Sequence, residues 1–474
     1  MKKIFSILFA LVLAISFVAV QGPGKTYAQG FGVSWDSSFQ VMNLSATDAA
    51  AIDVYYYNQD GSLATMDASY SNPDHDTVAI GASNTYFPIH AAAGFDGSVV
   101  INSTQDVAVI SNIVVGTTQK GLGSYVAFKV GAPTIYFPLL MKGNANNTST
   151  FNVQNTGEND AEITIHFAPM AGGGFASITD ITATITKGAA HTYDLSTLTE
   201  FSAVTKWVGG ATVSVTDTVN DSIAGVANTV SVKYTTAYAL GTYNAFTSGS
   251  TSSVIPLIQE NNNGNRTSVN CLNLGGATDM TITFTPSSGM PAKAPVTTAV
   301  GAGGMTAFIQ DYQGTVKFLG SAVITTNPQV NIACVVNQQK PATGTLSTYE
   351  GFNPASASGT VLLPLIQSRN GSEANGYVYT SINLATSDGN AHAVTCDFKP
   401  APTYTDPTDV TGNAKSIQFL QNDIYGTGAR FIGGAICTVT DGSGAGLFAV
   451  VNQTRQNTPV TPRDTLSTYN GFNQ

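Results

Sequence analysis

The feature that most constrains this chain is that it repeats itself. Thr348-Tyr349-Glu350-Gly351-Phe352 recurs as Thr468-Tyr469-Asn470-Gly471-Phe472, as Thr242-Tyr243-Asn244-Ala245-Phe246 and as Ser124-Tyr125-Val126-Ala127-Phe128. A second landmark follows each internal recurrence: Tyr136-Phe137-Pro138-Leu139, Val254-Ile255-Pro256-Leu257 and Leu362-Leu363-Pro364-Leu365. Two landmarks sharing one spacing mark a duplicated unit. The expected division is a leader at 1–28, then copies at 29–131, 132–250, 251–355 and 356–474. Copies of this size are far longer than a propeller blade or a solenoid rung.

Further columns align from copy to copy. Asn43, Asn155, Asn273 and Asn383 are expected to close an early strand, and Val54, Ile165, Ile282 and Cys396 to sit in the next. Phe95, Trp207, Phe318 and Phe431 each precede a Gly by two residues, and Asn112, Asn228, Asn337 and Asn452 are expected to end a late strand. Inside a copy the apolar period is two: Ile163, Ile165 and Phe167 alternate with Glu162, Thr164 and His166. Short β-branched runs of this kind, bounded by Gly, Asn, Asp and Pro, read as half-buried strands, about seven to a copy. The fold expected is all-β: four tandem immunoglobulin-like β-sandwich domains.

Only 10% of residues are charged, against 43% hydrophobic, which argues against coiled coils and charge-rich tails. With 19 Lys+Arg against 29 Asp+Glu and no basic cluster beyond the start, nucleic acid is not an expected partner. Met1-Lys2-Lys3, the apolar run from Ile4 to Val20 and Thr26-Tyr27-Ala28 read as a secretory signal peptide. No membrane span is expected after its cleavage, and neither a lipid-taking cysteine nor a wall-sorting tail is visible. The expected location is therefore secreted, extracellular or at the cell surface.

The four cysteines lie in the last two copies. Cys271 falls in a column with Val41, Val153 and Ser381, and Cys334 with Val109, Gly225 and Ala449. Cys396 and Cys437 stand where other copies carry Val54 and Ile101, Ile165 and Val213, or Ile282 and Ile324. Of three connectivities, Cys271 to Cys334 with Cys396 to Cys437 is the most economical, and four buried free thiols are the alternative.

Catalytic chemistry is sparse. His75, His90, His166, His191 and His392 occupy unrelated columns, and no nucleophile elbow, zinc-protease or phosphate-loop motif occurs. No enzyme activity and no cofactor are expected. Asp74-His75-Asp76 could hold a cation, and Asn58-Gln59-Asp60-Gly61 and Asp441-Gly442-Ser443-Gly444 could ligate Ca²⁺, but plain turns explain all three. Asn43, Asn102, Asn147 and Asn370 open glycosylation triplets.

A Pro-Leu strand, an Asn-rich turn, a strand ending in Gln-Asn or Leu-Asn and a Thr-Ile-Thr-Phe strand, best seen over Tyr136 to Phe167, resemble the tandem β-sandwich repeats of bacterial cell-surface proteins of the S-layer, sheath or extracellular-fibre type. The resemblance implies a structural subunit of a self-assembling layer, sheath or filament, whose partner is itself. The alternative is a secreted adhesin or carbohydrate binder recognising cell-surface glycans, for which Tyr55-Tyr56-Tyr57 is the nearest platform. The first copy has no Pro-Leu strand and the last stops after Phe472, so one terminal domain should be a strand short. Gln29-Gly30-Phe31-Gly32-Val33-Ser34-Trp35 is the segment expected either to pair with an open edge on a neighbouring subunit or to fold back on its own domain.

Overall fold

A computed structural model describes residues 35–473 apart from 46, 81–82, 117–120, 235–236, 311–315, 343, 373–375, 401–403, 406, 421–428 and 457–465. The expected signal peptide and Gln29 to Ser34 lie outside these residues. Every pairing between strands is antiparallel, and the helical pieces among the described residues are two single turns, Thr199–Phe201 and Pro354–Ser356.

The second copy shows the plan. One sheet runs Ile181–Ile185, Ala161–Pro169, Trp207–Val215 and Thr134–Lys142; the other runs Ala190–Asp194, Asn147–Asn155, Ile223–Tyr234 and Ala237–Asn244. Alternation decides which side chains enter the core. Ile163, Ile165 and Phe167 are at most 2% exposed, whereas Glu162 and His166, which alternate with them, face solvent. The Pro-Leu strand departs from alternation because both its faces are covered: Ile135, Phe137, Leu139, Leu140 and Met141 are all buried. The third copy repeats both sheets, and the fourth enlarges each to five strands. The chain is a series of tandem β-sandwich repeats.

In the first copy one sheet keeps four strands, but its partner has three, Asp74–Val78, Ala50–Asn58 and Gly97–Ser103. Gly97–Ser103 therefore ends its sheet among the described residues, at the place where a Pro-Leu strand lies in the other three sandwiches.

The chain divides between residues 248 and 249 into two compact units, each holding two sandwiches. Within the first unit, Val230 and Leu240 of the second sandwich are buried in the core of the first. Within the second unit, Val450 of the fourth sandwich joins the core of the third, and Phe448 packs with Val254 and Ala385.

Pairing register corrects two columns. Ser268 and Ser381 each face an Asn of the late strand, Asn337 and Asn452, so they are counterparts. Counting on from them, Asn273 corresponds to Thr386 rather than Asn383, and Cys271 to Leu384 rather than Ser381. The slip arose because an Asn does stand three residues before the strand end in both copies, at Asn270 and Asn383. The late-strand Asn column is also internal: Asn228 lies within Ile223–Tyr234 and Asn337 within Ile332–Lys340.

Candidate functional site

The two sequence landmarks meet in space. Where the Pro-Leu strand pairs with its neighbour, the register slips between Gly209 and Ala211, between Ile255 and Ile258, and between Leu363 and Ile366. Two residues, Pro and Leu, thus oppose one, which is a β-bulge. A bulge is where Pro is tolerated within a sheet, because no ladder bond needs its missing N–H. It also leaves the Leu peptide groups without ladder partners. The terminal-strand tyrosine supplies one: Tyr243, Tyr349 and Tyr469 donate their hydroxyls to the carbonyls of Leu139, Leu257 and Leu365 at 2.6, 2.6 and 2.7 Å. Burial pushes the Tyr349 and Tyr469 phenols well above their usual range, keeping them neutral donors.

The residue before each tyrosine has its own partner. Ser124, Thr242, Thr348 and Thr468 donate their hydroxyls to the side-chain oxygens of Asn112, Asn228, Asn337 and Asn452 at 2.7 to 2.9 Å. The early-strand asparagines act on backbone, as turn amides do. Asn43, Asn155 and Asn273 each donate to two or more carbonyls and accept the N–H of the second residue on. Asn383 departs from this set; it bonds to Ser381 and Val450 as Asn270 bonds to Ser268 and Val335. Asn43 and Asn147 are buried, so the glycosylation triplets that they open are closed to modification.

The cysteines pair as neighbours on adjacent strands. Cys271 faces Cys334 and Cys396 faces Cys437, with sulfurs at disulfide distance, 2.10 and 2.02 Å, and all four side chains at most 1% exposed. Their counterparts are the inward-facing pairs Val41 with Val109 and Val153 with Gly225, and Ile165 with Val213 and Ile282 with Ile324.

Four of the histidines meet carboxylates, each at a separate place. His75 lies 2.6 Å from Asp53, His90 2.5 Å from Asp74 and His166 2.8 Å from Asp180. His392 is held between Asp388 and Asp441, each 2.9 Å away. Hydrogen bonds to the two carboxylates raise its pKa. Burial would raise Asp388, but hydrogen bonds from the Asn390 backbone, His392 and the Asn390 side chain outweigh it and hold the carboxyl at about 2. Among the described residues no three His, Cys, Asp or Glu side chains converge as metal ligands. Asp441 accepts from the Ser443 N–H in its turn, and Asp60 likewise from Ser62, so both acidic turns are closed by their own backbone.

Tyr56 points into the core, while Tyr55 and Tyr57 lie half-exposed on the outer face with ring centroids 6.2 Å apart and nearly parallel. Of the segment expected to reach a neighbour, Trp35 is described; it is fully buried and pairs with Val115 of its own sandwich.

Sequence comparison among copies missed the joints between sandwiches. In the first unit Asn244 donates to the carbonyl of Val126 at 2.9 Å, and in the second Asn470 donates to that of Glu350 at 3.2 Å. The residue after the repeated tyrosine is Val126, Asn244, Glu350 and Asn470, so asparagine stands there in even copies alone. That alternation was the available signal. Each joint has polar company. Gln59 donates to Asp96 at 2.8 Å, with Thr192 alongside, and burial pushes Asp96 up to about 6 despite these bonds. Gln338 exchanges two 2.9 Å hydrogen bonds with Asn452.

These features define a tandem β-sandwich repeat protein whose repeated side chains are structural fasteners. No family model matches the chain, and no curated protein matches it. Among solved structures it is similar to the crystal structure of a tetra-tandem repeat in the extending region of a large adhesion protein, at 11% identity over 95% of this chain and 98% of that one, with a TM-score of 0.11. No helix among the described residues is long and apolar enough to cross a membrane.

Proposed function

We propose that this chain is a non-catalytic structural subunit of an extracellular layer, sheath or filament built from copies of itself. One observation carries the reading: the residues repeated in all four copies fasten strands together. Asn112, Asn228, Asn337 and Asn452 each accept from the hydroxyl residue preceding the repeated tyrosine. Repetition here multiplies a scaffold rather than a reactive site. Two buried cysteine pairs at disulfide distance suit an oxidising compartment outside the cytoplasm. A sparsely charged chain, with 10% charged residues, suits close packing of subunits.

A second reading, a glycan-binding adhesin, is favoured by the parallel outward rings of Tyr55 and Tyr57, since aromatic faces can stack on sugars. Negative-stain microscopy of the native protein released from the cell surface separates the two. A regular lattice or filament is expected; dispersed single particles that bind glycan arrays, and lose that binding with Tyr55→Ala, would replace the first reading by the second.

A further inference from the structure

We infer that the first sandwich is an acceptor for an extended strand of the Pro-Leu type supplied by another polypeptide. The other three sandwiches show what belongs in the slot. Their counterparts of Ile101, namely Val213, Ile324 and Cys437, pair with Ile135, Ser253 and Val361; their counterparts of Val99, namely Ala211, Ala322 and Ala435, pair with Phe137, Ile255 and Leu363. In the first sandwich Gly97–Ser103 is paired on one side, to Ala50–Asn58, and ends the sheet among the described residues.

The core registers the missing cover. Val99, Ile101, Val107 and Val109 are half-buried. Their counterparts are closed: Ala211, Val213 and Ile223 are 0% exposed, and Ala322, Ile324, Ile332 and Cys334 at most 2%. Val99 is larger than the alanine it replaces, yet it does not close the gap. Tyr125 registers it too. Its three counterparts donate to a Leu carbonyl of the Pro-Leu bulge, whereas its own hydroxyl is hydrogen-bonded to Ser111. The open strand, Gly-Ser-Val-Val-Ile-Asn-Ser, carries neither charge nor proline, the residues that commonly guard a sheet edge, and its Ser98 hydroxyl is held by the Gly188 carbonyl of the second sandwich.

The occupant's chemistry follows from its neighbours: nine extended residues with a bulky apolar side chain against Val99, an apolar or small one against Ile101, and a bulged Pro-Leu whose carbonyl reaches Tyr125. No strand among the described residues supplies it, and the equivalent positions of the sequence do not carry these side chains. Ser38 and Thr150 are counterparts, 112 residues apart, each facing a late-strand Asn. Carried back by that spacing from Phe137 and Ile135, the positions against Val99 and Ile101 fall on Lys25 and Pro23. Among its described residues a second copy has no Pro-Leu strand free to give, because each of the three is paired inside its own sandwich. Main-chain bonding to an open edge with side-chain pockets on alternate residues is strand addition. The slot is a property of the sandwich and does not depend on the role proposed above.

The test titrates the full-length exported protein with a fluorescent synthetic peptide of the sequence Ser252–Glu260, and with the same peptide carrying Ile255→Asp. Saturable binding of one wild-type peptide per chain is expected, with hydrogen-exchange protection appearing at Val99 and Ile101, and the Ile255→Asp peptide should not bind. Tyr125→Phe in the protein removes one hydrogen bond and should weaken binding about 3- to 10-fold. Its thermal midpoint without peptide reports whether it is folded. Three results overturn the inference: equal binding of both peptides, protection mapping elsewhere, or Val99 and Ile101 already protected without peptide. Concentration-dependent self-association that the peptide reverses would name a second copy as the occupant and overturn the assignment to another polypeptide.

Discussion

At the scale of single residues, the glycine two positions after each repeated aromatic shows most directly how sequence becomes structure. A Cβ built on Gly97, Gly209, Gly320 or Gly433 would stand 1.9, 2.2, 2.2 or 2.2 Å from the main-chain oxygen of Tyr57, Ala168, Thr285 or Lys399. The neighbouring strand's backbone approaches so closely that no side chain fits, and the ring of Phe95, Trp207, Phe318 or Phe431 folds over the bare position. The aromatic-x-Gly column is therefore one device: the glycine permits the approach and the aromatic fills the space it leaves. Gly320→Ala must push a carbonyl aside, and overpacking of this kind costs roughly 1–3 kcal/mol. Gly276→Ala, with nothing within 4 Å of its Cβ, is the control. Thermal unfolding should show a lower midpoint for the first and little change for the second; equal midpoints would mean that the close approach is not strained by a side chain.

Strands are where the sequence was most legible and where its limits show. Period-two alternation and the repeated landmarks were enough for the all-β sandwich plan, because a sheet with one face on a core must alternate. The Pro-Leu column gave a strand but not its bulge, since a register slip is decided by the partner strand. Asn383 was misplaced by three residues because Thr386 has taken over the strand end; its hydroxyl donates to the carbonyl of Asn390 at 2.7 Å, as an asparagine amide does elsewhere. The cysteine pairs were found through their columns, yet only pairing register reveals that each joins adjacent strands of one sheet. Their separations, 63 and 41 residues, imply that oxidation stabilises each sandwich by about 4 kcal/mol through loss of unfolded-chain entropy. Alkylating the unfolded protein without reduction, followed by intact-mass measurement, should add no label; four labelled thiols would show the pairs to be reduced.

For the whole molecule, the number of equal sequence copies and the number of compact units differ, four against two, and the joints explain why. Within the second unit the joint has buried contents: Val450 in the third sandwich's core, Phe448 against Val254 and Ala385, Gln338 against Asn452, and Asn470 on the Glu350 carbonyl. Separating the third and fourth sandwiches would expose Phe448, whose burial alone is worth roughly 1.5–3 kcal/mol, and would strip a buried amide of its partner at roughly 1–3 kcal/mol more. The piece 249–474 should therefore unfold in one cooperative transition with a midpoint close to that of the same unit in the full chain. The piece 356–474 should be less stable by several kcal/mol or fail to stay soluble. Calorimetry of the two pieces decides it. A fourth sandwich as stable alone as in the pair would mean that each copy is an independent domain, and that the asparagines found after the tyrosine in even copies alone contribute nothing to stability.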